Sequence, residues 1–184
     1  MMDHSRLLAK SIDSDFIGDD SAGNLLEHLK AVANAAETLV EKSGAEQLRA
    51  VGLLPDAWFA RLRRVVRIAA ALHDLGKANN HFQRMVTGRS RERQGLRHEW
   101  VVFWLCQQSP WQEWGPQAAG SDEDWQIALW AITGHHPAYK RPTPPTNKPD
   151  GCTDTELTVL ATHPDFQACV DWLEAMFGSG LLVA

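Results

Sequence analysis

Cysteine is scarce in this chain. Cys106, Cys152 and Cys169 are the only three in 184 residues, and they are widely spaced. No two form a CxxC pair, so neither a disulfide framework nor a zinc–thiolate site is indicated. Long apolar runs are missing too. No stretch reaches the roughly 18 consecutive apolar residues of a membrane-spanning helix, and Met1 to Lys10 contains no apolar core of signal-peptide length. The expectation is a cytoplasmic, reducing setting with no membrane association. A Gly-x-x-x-x-Gly-Lys-Ser/Thr loop is also lacking, which excludes a nucleotide-driven motor within these residues. No internal repeat is visible. What remains is 44% hydrophobic and 22% charged, a balance suited to a globular domain with a sizeable core rather than to a disordered or membrane chain.

Charge is unevenly placed. The formal net charge is −5, yet between Arg61 and Arg97 ten Lys or Arg face two acids, Asp74 and Glu92. Arg61, Arg63, Arg64 and Arg67 read as a solvated helix face. Arg84, Arg89, Arg91, Arg93 and Arg97 bracket a Gly-containing loop, and such a loop suits phosphate binding.

Apolar periodicity reads as helix throughout. Residues 1–20 read as a poorly ordered arm or an irregular lead-in, and 21–184 as one domain. Asn24, with Glu27 three residues on, marks a helix start, and Leu25, Leu29, Val32, Ala36, Leu39 and Val40 form its apolar face. His28 lies on that face. Alone it reads more often as a core histidine hydrogen-bonded to backbone. Gly44 to Pro55 reads as a connection holding at most a short helical piece. A second helix runs from about Asp56 to Leu75 with Trp58, Leu62, Val65, Val66, Ala69, Leu72 and Leu75 as its stripe, and Gly76 reads as a left-handed terminator. His73 falls on the stripe beside Asp74. The pair reads either as a core histidine next to a surface acid or as two ligands sharing an ion, since a buried carboxylate is costly without a positive partner.

Ala78 to Gln83 is a turn into a short helix. His98 opens the most apolar helix, facing inward with Val101, Val102 and Leu105. Residues 109–120 read as a Pro/Gly/Trp loop. Ser121 and Asp124 cap a further helix through Ile127, Leu129, Trp130 and Ile132, which Gly134 ends; His135 and His136 follow at once. Residues 138–151 are proline-rich and read as an extended loop with Lys140, Arg141 and Lys148 available to phosphates, or as a plain linker. Trp58, Trp100, Trp104, Trp125 and Trp130 are expected in the core. Trp111 and Trp114 are candidates to stack on unpaired bases. His81 and His163 read as surface residues, and His4 as uninformative.

Four histidine sites thus lie at or near helix ends, where side chains from different helices can converge. Imidazole nitrogens and a carboxylate suit manganese, iron, cobalt, nickel or zinc, with magnesium also possible. Five histidines and one aspartate exceed the needs of one tetrahedral ion and leave room for two ions bridged by Asp74.

The set resembles the HD superfamily of metal-dependent phosphohydrolases, and within it the HD nuclease domain of the CRISPR-associated type I nuclease-helicase. The matching pieces are Glu27-His28-Leu29, Ala71-Leu72-His73-Asp74-Leu75-Gly76-Lys77, Asn79 to Gln83, His98-Glu99 and Thr133-Gly134-His135-His136. The resemblance implies an all-α HD-domain bundle with the metal site between helices. It implies one ion on His28, His73, Asp74 and a late aspartate, and another on Asp74, His98, His135 and His136. Asp74 would bridge, and the ions would activate a water to attack a phosphodiester. Lys77 would contact a phosphate or leaving group, or else serve as a helix-terminal cation. The late aspartate is either Asp171, in Val170-Asp171-Trp172 about 35 residues past His136, or a residue beyond these 184.

The implied partners are single-stranded DNA, a CRISPR helicase domain or subunit, and an RNA-guided surveillance complex. The chain would be a stand-alone nuclease subunit or a fragment of a larger protein. A phosphohydrolase of nucleotides or cyclic nucleotides, and an inactive docking module, are the alternatives.

Overall fold

The structure is a computed structural model describing residues 6–11, 23–88, 96–136 and 156–178. Seven α-helices account for most of the described residues: α1 (Leu25–Ala50), α2 (Pro55–Leu72), α3 (Asn80–Val86), α4 (His98–Cys106), α5 (Trp111–Ala119), α6 (Asp122–Gly134) and α7 (Pro164–Phe177). A 3₁₀ turn, Leu75–Lys77, links α2 to α3. No strand occurs among the described residues, only the isolated bridges Leu8–Asn24 and Asn79–Val159. The fold is all-α, as expected. No described helix is long and apolar enough to cross a membrane.

The helix starts follow local chemistry. Asn24 caps α1 by accepting from the amides of Leu26 and Glu27, and Asn79 caps α3 by accepting from Phe82 N. Ser121 Oγ accepts from Asp124 N at the head of α6. Each satisfies amides that lack an intrahelical partner. Glu27 does not complete a capping box; its carboxylate takes Lys30 at 3.0 Å.

Several elements depart from expectation. α1 does not stop at Gly44 but runs on to Ala50. A Cβ at Gly44 would lie 3.1–3.3 Å from Phe59, Val40 and Leu62, so this glycine permits the close approach of α1 to α2 and does not break the helix. α2 ends at Leu72, ahead of the expected Leu75, which leaves His73 and Asp74 at its C-terminal edge. Gly76 is not a left-handed terminator. It sits in the 3₁₀ turn, where a Cβ would collide with the carbonyl of His98. Its lack of a side chain lets the start of α4 rest directly on the turn that carries Asp74.

Residues 109–120 are not a loop. They contain α5, closed by Gly120 in the left-handed region at φ 93°. Trp111 and Trp114 are buried on this helix with Trp125 and Phe166, and Trp111 meets Trp114 edge to face at 5.8 Å between centroids. The base-stacking role expected of these two is therefore withdrawn. Conversely, Trp58, Trp104 and Trp130 lie outside the core, Trp130 at 79% exposure. Leu39 and Ile127 are also exposed. Helical spacing recorded which residues share a stripe but not how wide a stripe its neighbours cover.

The core is contiguous, drawing Leu25 and Leu29 from α1, Ile68 and Leu72 from α2, Val102 from α4, Trp114 from α5, Leu129 and Ile132 from α6, and Leu173 from α7. The lead-in at 6–11 is irregular but packed: Leu7 and Ala9 are buried, and Leu7 N donates to Asp165 Oδ2 at 2.7 Å. Cys106 and Cys169 are free and buried. Burial pushes both thiols up, that of Cys169 to about 12, which keeps them protonated and poor as metal ligands. His4, Cys152, Arg89, Arg91, Arg93 and the proline-rich segment with Lys140, Arg141 and Lys148 fall outside the described residues.

Candidate metal centre

The architecture delivers five imidazoles and one carboxylate to a single point. His28 comes from the first turn of α1, His73 from the C-terminal cap of α2, Asp74 from the next position and His98 from the first residue of α4. His135 and His136 leave the end of α6. Asp74 is the hub, at 3% exposure. Its Oδ2 lies 2.8 Å from His28 Nε2, 3.1 Å from His73 Nε2 and 2.7 Å from Lys77 Nζ. Its Oδ1 lies 2.9 Å from His98 Nε2 and 3.6 Å from His135 Nε2. His136 Nε2 is 3.0 Å from His98 Nε2. Two groups share the carboxylate: Asp74, His98, His135 and His136, and His28, His73 and Asp74.

The orientation of the rings is fixed from behind. His73 Nδ1 donates to Ala70 O at 2.8 Å, and His135 Nδ1 donates to Ile132 O at 2.6 Å. A carbonyl accepts only, so each of these Nδ1 atoms carries the proton. In the neutral ring, Nε2 then presents its lone pair to Asp74. This is the usual tautomer of a ligating histidine whose other nitrogen is tied to the backbone.

Such an arrangement demands positive charge at its centre. Lone pairs on several Nε2 atoms face a carboxylate and one another at hydrogen-bonding distances, which repels unless protons or a cation intervene. Burial raises the Asp74 carboxyl, but the surrounding imidazoles of His135, His28, His73 and His98 outweigh it and hold the group far below the usual carboxylate range. Asp74 is thus an anion. Burial lowers His135, yet Asp74 and the Ile132 carbonyl leave it raised overall; burial and the neighbouring His135 lower His136. Asp74 Oδ1 and His98 Nδ1 have no hydrogen-bond partner although buried. A nitrogen-rich donor set around a shared, ionised and under-satisfied carboxylate fits divalent transition ions.

The placement of the other expected residues is mixed. Lys77 reaches the centre, bonding Asp74 and the Ala9 carbonyl at 2.9 Å. Asp171 is exposed on α7 and joins neither group of ligand atoms. Arg97 is near the site but ion-paired with Glu99. His81 is not a surface residue: it is buried and its Nε2 bonds to Glu156 O at 2.9 Å. His163 caps α7, its Nδ1 accepting from Asp165 N at 3.1 Å. Glu99, next to His98, received no role from sequence; it is fully buried. The signal available was an acid set inside the most apolar helix.

Residues 13–181 match the family described as Cas3, HD domain. The chain belongs to this family. The Cas3 HD assignment agrees with the helical fold and with the His/Asp cluster just described. The chain is also 39% identical over 163 residues to a CRISPR-associated nuclease/helicase Cas3 of Myxococcus xanthus (strain DK1622), a name that is itself provisional. That alignment covers 88% of this chain but 21% of the relative, so the chain spans about a fifth of that protein's length. No solved structure matches it.

Proposed function

We propose that this Cas3 HD domain is a metal-dependent nuclease that hydrolyses phosphodiester bonds, with single-stranded DNA as its substrate, in CRISPR interference and antiviral defence. The observation that carries the reading is the shared carboxylate: Asp74 faces His28 and His73 with one oxygen and His98 and His135 with the other. Asp74 and Lys77 are the proposed catalytic residues. His28, His73 and Asp74 would hold one divalent ion, and Asp74, His98, His135 and His136 a second; manganese, iron, cobalt, nickel, zinc and magnesium are the candidates. Bound ions supply an acidified water and charge neutralisation for a phosphodiester.

The chain's own residues do the positioning. Ala70 and Ile132 carbonyls keep His73 and His135 with Nε2 forward. Asp74 stays ionised across the working pH range. Lys77 places a fixed ammonium at the centre, where a phosphate oxygen also finds a cation. Chemistry directed at a backbone phosphate needs no base readout, which suits an unpaired strand. The partners proposed with this role are a CRISPR helicase domain or subunit and an RNA-guided surveillance complex, in the cytoplasm.

Incubation with manganese and circular single-stranded DNA tests the reading, run beside a panel of nucleotides and cyclic nucleotides. Cleavage of the circle supports it. Phosphate release from nucleotides alone would replace it with a nucleotide phosphohydrolase. An inactive docking module is the third outcome, and one observation favours it: Lys77 already occupies Asp74 Oδ2 beside a group with only three described ligands. Metal analysis separates the two, because the nuclease should hold about two ions per chain and a docking module none.

A further inference from the structure

His73 and His135 sit at helix C-termini, so each finds a carbonyl three residues back in its own helix for the Nδ1 proton. His98 is placed the opposite way. It is the first residue of α4, with no preceding helical turn to offer a carbonyl. Its Nδ1 is buried and unpartnered. A candidate acceptor, Glu99 Oε2, lies 3.7 Å away. Glu99 is fully buried, and neither of its oxygens makes a hydrogen bond. Its Oε1 forms a close ion pair with Arg97, without hydrogen-bond geometry. A buried ring nitrogen and a buried acceptor on adjacent residues thus stand about 0.5 Å beyond the upper end of hydrogen-bonding distance.

We propose that Glu99 is the positioning residue of His98, accepting its Nδ1 proton as His98 Nε2 engages a divalent ion, and so replaces the backbone carbonyl that His73 and His135 use. This rests on the reading of the histidine cluster as a metal centre. A carboxylate behind a ligating imidazole fixes its tautomer and raises its basicity. Phe82 limits the ring's freedom on another side, meeting His98 edge to face at 5.9 Å between centroids. The arrangement also accounts for an acid within an otherwise apolar helix. A carboxylate buried for packing alone would be disfavoured.

The test is zinc binding by calorimetry to the purified chain, wild type against Glu99→Met and Glu99→Gln. Met keeps the volume and removes the acceptor, and the Arg97 side chain that loses this carboxylate is 41% exposed, so water can solvate it. Glu99→Met is expected to weaken zinc binding roughly 10- to 100-fold. Glu99→Gln, which keeps a carbonyl acceptor, should recover part of that loss. In the zinc-loaded wild type, NMR should show a hydrogen-bonded His98 Nδ1 proton that moves upfield or disappears in Glu99→Met. The thermal midpoint of the metal-free variant, by contrast, should stay near wild type. Equal zinc affinity and an unmoved Nδ1 proton in Glu99→Met would overturn the inference alone. A lowered metal-free midpoint with unchanged zinc affinity would reduce Glu99 to packing and overturn it as well. Absence of zinc binding by the wild type would overturn the metal-centre reading and this inference together.

Discussion

At the scale of single residues, Asp74 decides the most. It is the one anion in a ring of imidazoles, and both proposed ligand groups need it. Asp74→Ala is expected to abolish metal retention and DNA cleavage together, read by metal analysis and by nicking of circular single-stranded DNA; unchanged activity would refute the assignment. Gly76 matters for a different reason. Its neighbour across the gap is the backbone of His98, which cannot swing aside as a side chain would. Gly76→Ala should therefore fall at or beyond the upper end of the overpacking range, about 3 kcal/mol, measured by urea unfolding. It should also weaken metal binding by displacing His98 from Asp74.

At the scale of elements, the site depends on where helices begin and end. Asn24 holds the start of α1, four residues before His28, and its amide also reaches Asp165 at the head of α7, 3.4 Å away. Asn24→Ala should cost about 1 kcal/mol for the lost cap, visible as a lower denaturation midpoint, and should weaken metal binding less than His28→Ala does. Much of this was legible beforehand. The caps at Asn24 and Ser121, the inward turn of His98 and the exit of His135 and His136 from α6 all follow from side-chain chemistry within four residues. The extent of α1 past Gly44 and the helical state of 111–119 did not, because a glycine or proline acts as a local breaker only if no neighbouring helix needs the space it leaves. α5 accommodates Pro116 and Gly115, the latter against the Trp125 ring.

At the scale of the whole molecule, the run of arginines has a different meaning from the one its charge suggests. Arg61 pairs with Glu123 and Asp124 of α6, and Arg63 with Glu37 and Glu41 of α1. These two cations join helices and are not merely a solvated helix face. The hydrogen bond from Arg63 holds Glu37 below its ordinary value of 4.5. A depressed carboxyl stabilises the fold above its unfolded pKa and loses that contribution as pH falls through the folded one. Glu37→Gln should therefore narrow the difference in stability between pH 7 and pH 3, measured by thermal unfolding, with a small effect because the pair is largely solvated.

Metal binding also couples to the whole fold. Its proposed ligands come from α1, the end of α2, α4 and the end of α6, so an ion held by them would bind the folded chain and not the unfolded one. At a hundredfold excess over Kd the gain is about 2.7 kcal/mol, or roughly 5–11 °C in Tm for a chain of this length. A chelator should reverse it. Because the histidines must be deprotonated to ligate, the gain should shrink as pH falls below their range; a Tm indifferent to manganese at every pH would contradict the metal centre.

The sequence by itself determined the helical class, the identity of the six proposed ligands and their positions at helix ends, because these depend on residue type and on spacing along one chain. Only the tertiary structure decided that both oxygens of Asp74 face imidazoles, that Lys77 bonds Asp74, that Trp130 is outside and Trp114 inside, and that Glu99 lies buried beside His98 without a hydrogen bond. Those outcomes depend on which helix lies against which. That is set by the combined packing of surfaces distant in sequence, and no local pattern encodes it.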